Sequence, residues 1–201
     1  GNVRHSAPSA MRRAARMALS ARPGCAGVGS WGAMEGMRGR GLLDDREVVL
    51  CDGLGVGVCG GFSMPLGGQV ADEVYLVTTS DFMALYAANN ICRGIRKYAQ
   101  SGRIRLAGII HNGRSSVDND GLLQTFATEL GTTVAGKIPM SPLIGQAELE
   151  RQTVVDSAPD SAPAQAFRAL ASVLLDNRGG CIPEPMSDDG LEALCRKAAP
   201  L

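Results

Sequence analysis

The sequence predicts an α/β fold in which helices cover a parallel sheet, and two observations support this class. From residue 46 onward, short β-branched runs alternate with stretches whose apolar residues recur at helical spacing. Such alternation indicates strands joined by right-handed helical crossovers, which make the strands parallel. The chain has 201 residues, of which 45% are hydrophobic and 20% charged, so it can bury the core of one such domain.

Four segments are predicted as strands. The first, Glu47–Asp52, is a short apolar run that ends in an acid, which is typical of a buried strand in a parallel sheet. The other three are rich in β-branched residues: Val74–Thr79, Ile104–Ile110 and Thr133–Ile138. Pro139 cannot donate to a β-ladder and therefore stops the last of them.

Helices are predicted after each of the last three strands. The first follows Ser80 or Asp81, either of which can cap it, and ends near Gly102. Its apolar residues form one stripe: Ala84, Ala87, Ala88, Ile91, Ile95 and Tyr98. Further helices are predicted over 121–130, 143–151, 164–176 and 191–197, with a Ser/Ala/Pro/Asp-rich connection over 156–163.

The carboxyl ends of the predicted strands are where a binding site is expected, because parallel sheets carry their active loops there. Polar residues fall at all four ends: Asp52, Thr79–Asp81, Asn112 and Pro139–Ser141. Asp52 is followed by Gly55, and an acid at a strand end followed by such a glycine is how nucleotide hydrolases sense a terminal phosphate. The pattern therefore indicates a nucleotide site.

Two cysteines lie in glycine-dense loops and are candidate iron–sulfur ligands. Cys25 lies within Gly24–Gly29 and Cys59 within Val58–Phe62, where backbone N–H groups can hydrogen-bond the sulfurs. Neither belongs to a CxxC motif, so a zinc site within one chain is not expected. A [4Fe–4S] cluster needs four thiolates and one chain offers two, so a two-fold dimer would complete the set. The simpler interpretation is two buried thiols.

The remaining cysteines and histidines predict no chemistry of their own. Cys51, Cys92, Cys181 and Cys195 lack glycine-dense loops and are expected to be buried or incidental thiols. His5 and His111 are isolated and are expected to be surface or satisfied core residues. The irregular cysteine spacing favours a reducing compartment, and we expect a cytoplasmic protein.

Two glycine-rich stretches match nucleotide-binding motifs only in part. Gly55–Gly60 matches GxGxxG, but Pro65 follows where a dinucleotide-binding fold needs a helix. Gly131–Lys137 matches most of a P-loop, but Ile138 replaces the required Ser or Thr and the stretch is itself strand-like. Neither match predicts phosphate binding.

The first 42 residues are basic, with seven arginines and one acid, Glu35. Residues 4–22 resemble an organellar targeting segment, and they fit a nucleic-acid arm, a surface helix or a stretch unrelated to the working fold equally well. We expect no nucleic-acid partner. We also expect no membrane association, because the longest apolar runs are far shorter than a membrane span.

Two motifs resemble the nitrogenase iron protein (dinitrogenase reductase) family. They are DGLGVGVCGGFSMPL over 52–66 and DFMALYAANNICRGIRKYAQSGRIRLAGIIHNGR over 81–114. The resemblance extends over 23–185 and sets apart a basic segment, 1–22, and a tail, 186–201. The iron–sulfur, ATP-binding subunit of dark-operative protochlorophyllide reductase is related and shares the VCGGF loop.

The resemblance implies a fold, cofactors and partners. The fold is a P-loop NTPase-type sheet with helices on both faces, in a homodimer that shares one [4Fe–4S] cluster held by Cys25 and Cys59 of each subunit. Asp52 would hold the magnesium of MgATP, Gly55 would sense the γ-phosphate and Asn112 would lie near the adenine. ATP hydrolysis would drive electron delivery from a ferredoxin or flavodoxin to a dinitrogenase-type catalytic protein.

Several positions depart from the family pattern. Only 24 residues precede Cys25, so we expect the P-loop part to be missing. Val56 replaces an aspartate that orients the attacking water, and Val28 replaces a docking arginine. Met140 and Ser141 replace a charged pair beside the nucleotide. These departures favour an alternative, a non-catalytic or decayed relative that keeps the fold and dimer. A protochlorophyllide-reductase-type subunit is a further alternative, and a partitioning-type ATPase would leave both cysteines unexplained.

Overall fold

The computed structural model describes residues 36–37, 39–41, 48–50, 72–100, 102–114, 118–176 and 179–198. Within them a three-stranded sheet has the order β1 (Glu73–Thr78), β2 (Arg105–Asn112) and β3 (Val134–Ile138). Both pairings are parallel. The predicted α/β class with a parallel sheet is therefore confirmed, and the three strands lie within two residues of their predicted bounds.

The predicted strand over 47–52 is wrong for the three of its residues that are described. Val48, Val49 and Leu50 lie in irregular backbone and are exposed. No ladder joins them to β1, whose partner is β2. An apolar run forms a strand only where a neighbouring strand satisfies its backbone groups, which the local pattern cannot reveal.

Six helices of four or more residues occur in the described residues, and residues 36–37 are also helical. The six are α1 (Phe82–Ala99), α2 (Asp120–Glu129), α3 (Pro142–Leu149), α4 (Val154–Ser157), α5 (Ala162–Asp176) and α6 (Asp188–Ala198). Five correspond to predicted helices. The short α4 falls in a segment predicted to be a connection, and the Thr153 side chain caps it by accepting from Asp156 N–H.

Helix α3 ends two residues earlier than predicted. Arg151 has φ 57°, in the left-handed region, so the helix cannot continue through it. The Gln152 N–H donates to Ala147 O at 2.9 Å, which satisfies a carbonyl of the last turn.

Each strand pairing contains one bulge, and the bulges decide which side chains share a face. Tyr75 pairs with Gly108 rather than with Ala107, and Ile110 pairs with Gly136 rather than with Ala135. Because an inserted residue reverses the alternation beyond it, Leu106 and Ile109 lie on the same face. Both belong to the main core cluster.

The two faces of the sheet are covered by different helices. The main cluster joins one face to apolar residues of α1, α2 and α6: Leu85, Ile95, Leu123, Phe126 and Leu191 are all fully buried. On the other face Leu170 of α5 packs against Gly136. Val77 of β1 is 64% exposed, so α5 does not reach the first strand.

The segment after α5 packs on this domain. Cys181 forms an antiparallel bridge with Leu106, with both hydrogen bonds at 2.9 Å. Beyond it, Leu191 of α6 is fully buried in the main cluster. The boundaries at residues 22 and 185 stay predictions.

Candidate functional site

The carboxyl edge of the sheet assembles the polar strand ends. Thr78 pairs with His111, and Asn112 pairs with Ile138, so the loops after the three strands begin side by side. Thr79–Asp81, Asn112 and Pro139–Ser141 therefore lie at one edge, as the sequence predicts. The Asn112 side chain is at an exposed position at the end of β2, where it is free to face a ligand.

A tight turn follows Asn112. The Gly113 N–H donates to Ile138 O at 2.8 Å, and the Arg114 N–H donates to Asp118 Oδ2 at 3.1 Å. A Cβ on Gly113 would lie 3.0 Å from both Asp118 Oδ2 and Ile138 O, and 3.1 Å from Met140 N. The turn therefore needs glycine for space, and it holds the loops after β2 and β3 together.

We expect Gly113→Ala to destabilise the protein by about 1–2 kcal/mol, because the added methyl overpacks a site bounded mainly by backbone. Gly145→Ala is the matched control. Gly145 lies inside α3 with open space around its Cβ position, so this variant gains about 0.5–1 kcal/mol. Urea unfolding measures both. Equal effects of the two variants would contradict the expectation.

Asn119 joins three elements at this edge. Its N–H donates to Ser80 Oγ at 3.0 Å, and its Nδ2 donates to Ala198 O at 3.0 Å. Its Oδ1 caps α2 by accepting from Leu122 N–H at 2.9 Å. The loop after β1, the start of α2 and the end of α6 are thereby fixed to one another.

An open cavity lies on the α1 side of the edge. Its volume is about 440 Å³, within the range of small-molecule sites. It is lined by Thr79, Asp81, Met83, Ala84, Arg114 and Asp118. Thr79 Oγ donates to Asp81 Oδ2 at 2.7 Å, which orients that carboxylate. The lining offers both charges, so it can receive a polar ligand with anionic and donor groups.

A charged network lies beneath the turn. Lys137 Nζ contacts both oxygens of Asp120 at 2.7 and 2.9 Å, and His111 Nδ1 lies 2.9 Å from Asp120 Oδ1. The pKa of Asp120 is lowered, chiefly by the hydrogen bond from Lys137 and further by the charges of Lys137 and His111, against a smaller opposing effect of burial. Asp120 therefore contributes stability that is present above the carboxyl's ordinary pKa and is lost as the pH falls below it.

His111 differs from its predicted role. It is 1% exposed, and its Nε2 has no hydrogen-bond partner among the described residues. The expectation of a surface or satisfied core histidine is therefore wrong for this nitrogen. Sequence reasoning missed the surrounding set, Asp118, Asp120 and Lys137, because it meets only through strand pairing and a helix start.

The structure places both residues after β3 that depart from the expected family pattern, Met140 and Ser141. Met140 is 66% exposed, and its apolar side chain replaces a charge expected at this position. The Ser141 side chain caps α3 by accepting from Leu143 N–H at 3.3 Å. The loop therefore offers a ligand an apolar contact.

The cysteines that can be placed fit their predicted passive role. Cys92 is fully buried, and burial raises the pKa of its thiol to about 12, with a smaller contribution from Cys181. Burial also raises the pKa of Cys181 and of Cys195. The thiolate form is therefore disfavoured at all three cysteines. In the described part of the chain no three His, Cys, Asp or Glu side chains are placed to hold a metal ion.

The other candidate residues cannot be placed. Cys25, Asp52, Gly55 and Cys59 lie outside the described residues, as do Val28 and Val56. The partial P-loop match over 131–137, from which no phosphate binding is predicted, lies within the described residues. There Lys137 belongs to β3 and does not precede a helix, as a P-loop lysine would. The strand-like interpretation of this stretch is confirmed.

Together the parallel sheet and its polar carboxyl edge define an α/β protein with a candidate ligand site at the strand ends. Residues 20–199 match the model of the family described as 4Fe-4S iron sulfur cluster binding proteins, NifH/frxC family. The match covers most of the chain, so this chain belongs to that family.

The similar curated proteins carry more specific names. The chain is 47% identical over 173 residues to the nitrogenase iron protein of Methanococcus voltae, covering 85% of this chain and 62% of that protein. It is 41% identical over 176 residues to nitrogenase iron protein 2 of Methanothermococcus thermolithotrophicus, covering 87% and 60%. The chain thus spans about three-fifths of the length of these relatives.

One solved structure is also similar to this chain, at lower sequence identity and over a smaller part of the chain. The crystal structure of the Pyrococcus furiosus cell division ATPase MinD matches with a TM-score of 0.43 and 25% identity, over 52% of this chain and 42% of that one. Among the described residues, no helix combines the length and apolar character that spanning a bilayer requires.

Proposed function

We propose that this chain is the electron-transferring reductase component of a nitrogenase system. The single observation that carries the proposal is the family match over 20–199, which includes both predicted cluster ligands, Cys25 and Cys59. The relatives named nitrogenase iron protein support the same function. The cluster would supply a reversible one-electron couple, and thiolates in glycine-dense loops are suitable ligands for it.

The proposed homodimer shares one [4Fe–4S] cluster and binds MgATP. Asp52 and Gly55 would act on the magnesium and the γ-phosphate, and Asn112 would lie near the adenine. Asn112 is exposed at this edge, which supports a nucleoside contact there. We propose a cytoplasmic location, a ferredoxin or flavodoxin as donor and a dinitrogenase-type catalytic protein as acceptor.

Anaerobic reconstitution of the full-length protein with iron and sulfide tests the cluster. We expect about four irons per dimer and a paramagnetic signal on reduction, because each subunit offers two of the four thiolates. Cys25→Ala and Cys59→Ala should each lose the cluster. Cys195→Ala is the control and should keep it, because that thiol packs against the main core. Iron binding that survives both loop substitutions would reject the proposal.

A second candidate function is a non-catalytic relative that keeps the fold and the dimer. Met140 favours it, since an exposed apolar side chain stands where the resemblance expects a charge beside the nucleotide. Val56 favours it as well, because valine cannot orient water as an aspartate does. MgATP hydrolysis by the cluster-loaded protein separates the two. Turnover that reductant and the acceptor accelerate supports the reductase, and a loaded cluster without turnover supports the non-catalytic relative.

A further inference from the structure

His111 lies between two carboxylates at the candidate nucleotide edge. Its Nδ1 is 2.9 Å from Asp120 Oδ1, and its Nε2 is 3.8 Å from Asp118 Oδ2. The His111 side chain is only 2% exposed, and that of Asp118 only 10% exposed. Water therefore does little to screen either charge from the other.

The contact with Asp120 fixes one proton on the imidazole. A carboxylate only accepts hydrogen bonds, so Nδ1 carries hydrogen and donates to Asp120. In neutral histidine Nε2 would then present a lone pair towards the Asp118 carboxylate. Two acceptors facing each other in a buried site are unfavourable. A second proton, on Nε2, turns this contact into an attraction between an imidazolium and a carboxylate.

Among the described residues, no other group around His111 supplies a competing charge from the sheet or from α1. Thr78 pairs with it from β1 and is uncharged, and Lys137 of β3 is held by Asp120. The buried residues of α1 are all uncharged in the neutral pH range: Leu85, Ala88, Asn89, Cys92, Ile95 and Ala99. The only buried residue of α6 is Leu191.

Asp118 connects His111 to the turn after Asn112 at the candidate site. Its Oδ2 accepts from Arg114 N–H at 3.1 Å, and the same oxygen faces Nε2. The position of Asp118 therefore sets the turn at Gly113 and Arg114, directly after Asn112. Arg114 and Asp118 also line the cavity at this edge.

We propose that His111 is a positioning residue for nucleotide binding, which as an imidazolium links Asp118 to Asp120 and so holds the turn after Asn112. This inference rests on the proposed nucleotide site. Losing either charge should therefore loosen the turn and weaken nucleotide binding.

The test measures binding of a fluorescent ATP analogue with magnesium to the full-length protein, together with the midpoint of thermal unfolding. His111→Gln removes the cation and Asp118→Asn removes its anionic partner, so we expect each to weaken binding about threefold to tenfold. Because the two residues act through each other, the double variant should lose no more affinity than either single variant. Asp160→Asn changes an exposed carboxylate between α4 and α5 and should behave as the wild type.

The outcomes separate this inference from the proposed function. Nucleotide affinity that is unchanged in His111→Gln, or losses that add fully in the double variant, would overturn the positioning role and leave the proposed function intact. Failure of the analogue to bind at all would overturn both. In that case the unfolding midpoint would still report whether the link between His111 and Asp118 exists, since it needs no nucleotide.

Discussion

Asn89→Ala is expected to lower the free energy of unfolding by about 1–3 kcal/mol, because it leaves the part-buried Met186 N–H without its partner and removes one of the two donors to Met186 O, the other being Arg93 Nη2. Asn89 is fully buried in α1. Its Nδ2 donates to Met186 O at 2.8 Å, and its Oδ1 accepts from Met186 N–H at 2.9 Å. The Asn89 side chain thus bonds both backbone groups of Met186, as a neighbouring strand would, in the segment that leads into α6.

Asn90→Ala is the matched control, since it is the same change at the next residue. The Asn90 side chain accepts only an exposed hydrogen bond from Arg93 Nη1 at 2.8 Å, and losing it should change stability by less than about 0.5 kcal/mol. Urea unfolding followed by circular dichroism gives both values. A lower midpoint with an unchanged slope is expected for Asn89→Ala. Equal midpoints for the two variants would show that Met186 is held by other contacts.

The sequence predicts the elements of this fold well because their signals are local. The strand beginning at Val74 and the helix that follows Asp81 are encoded by side-chain periodicity and capping residues, which need no knowledge of the rest of the molecule. The ends of elements are less predictable. Arg151 adopts the left-handed conformation that ends α3, and arginine is not a residue type that predicts this conformation.

The pairing of the strands depends on information that no single segment carries. The bulges at Ala107 and Ala135 shift the register, and they place His111 on the face of α2 beside Asp120 and Lys137. The sequence gives no signal for either bulge. Residues 48–50 show the converse case, because this exposed segment of strand-like composition has no strand partner among the described residues.

The candidate site likewise contains some residues that the sequence predicts and others that only the fold brings together. The cysteine loops and the edge residue Asn112 could be found from the sequence, because short motifs carry them. The network of His111 with Asp118 could not, since the geometry that leaves Nε2 facing a carboxylate arises only from the fold. The predicted roles of Cys25 and Cys59 stay predictions until cluster assembly is measured.

Gly180→Ala is the second large effect, and we expect a loss of about 2–3 kcal/mol from overpacking against rigid backbone. A Cβ at this position would lie 2.6 Å from Leu106 O and 2.8 Å from Arg105 Cβ. Leu106 O also accepts from Cys181 N–H at 2.9 Å, so the methyl cannot be accommodated without breaking the bridge that fixes the C-terminal segment to β2.

The adjacent glycine provides the control for this substitution. A Cβ on Gly179 would meet nothing within 4 Å, so Gly179→Ala should leave stability nearly unchanged. Hydrogen exchange gives a local measurement beside urea unfolding. The Leu106 N–H, which donates to Cys181 O at 2.9 Å, should exchange faster in Gly180→Ala and normally in Gly179→Ala.

Because Asn89 acts on the same segment from α1, the double variant Asn89→Ala with Gly180→Ala should lose less than the sum of the two single losses. Full additivity would mean that the two contacts hold the segment independently.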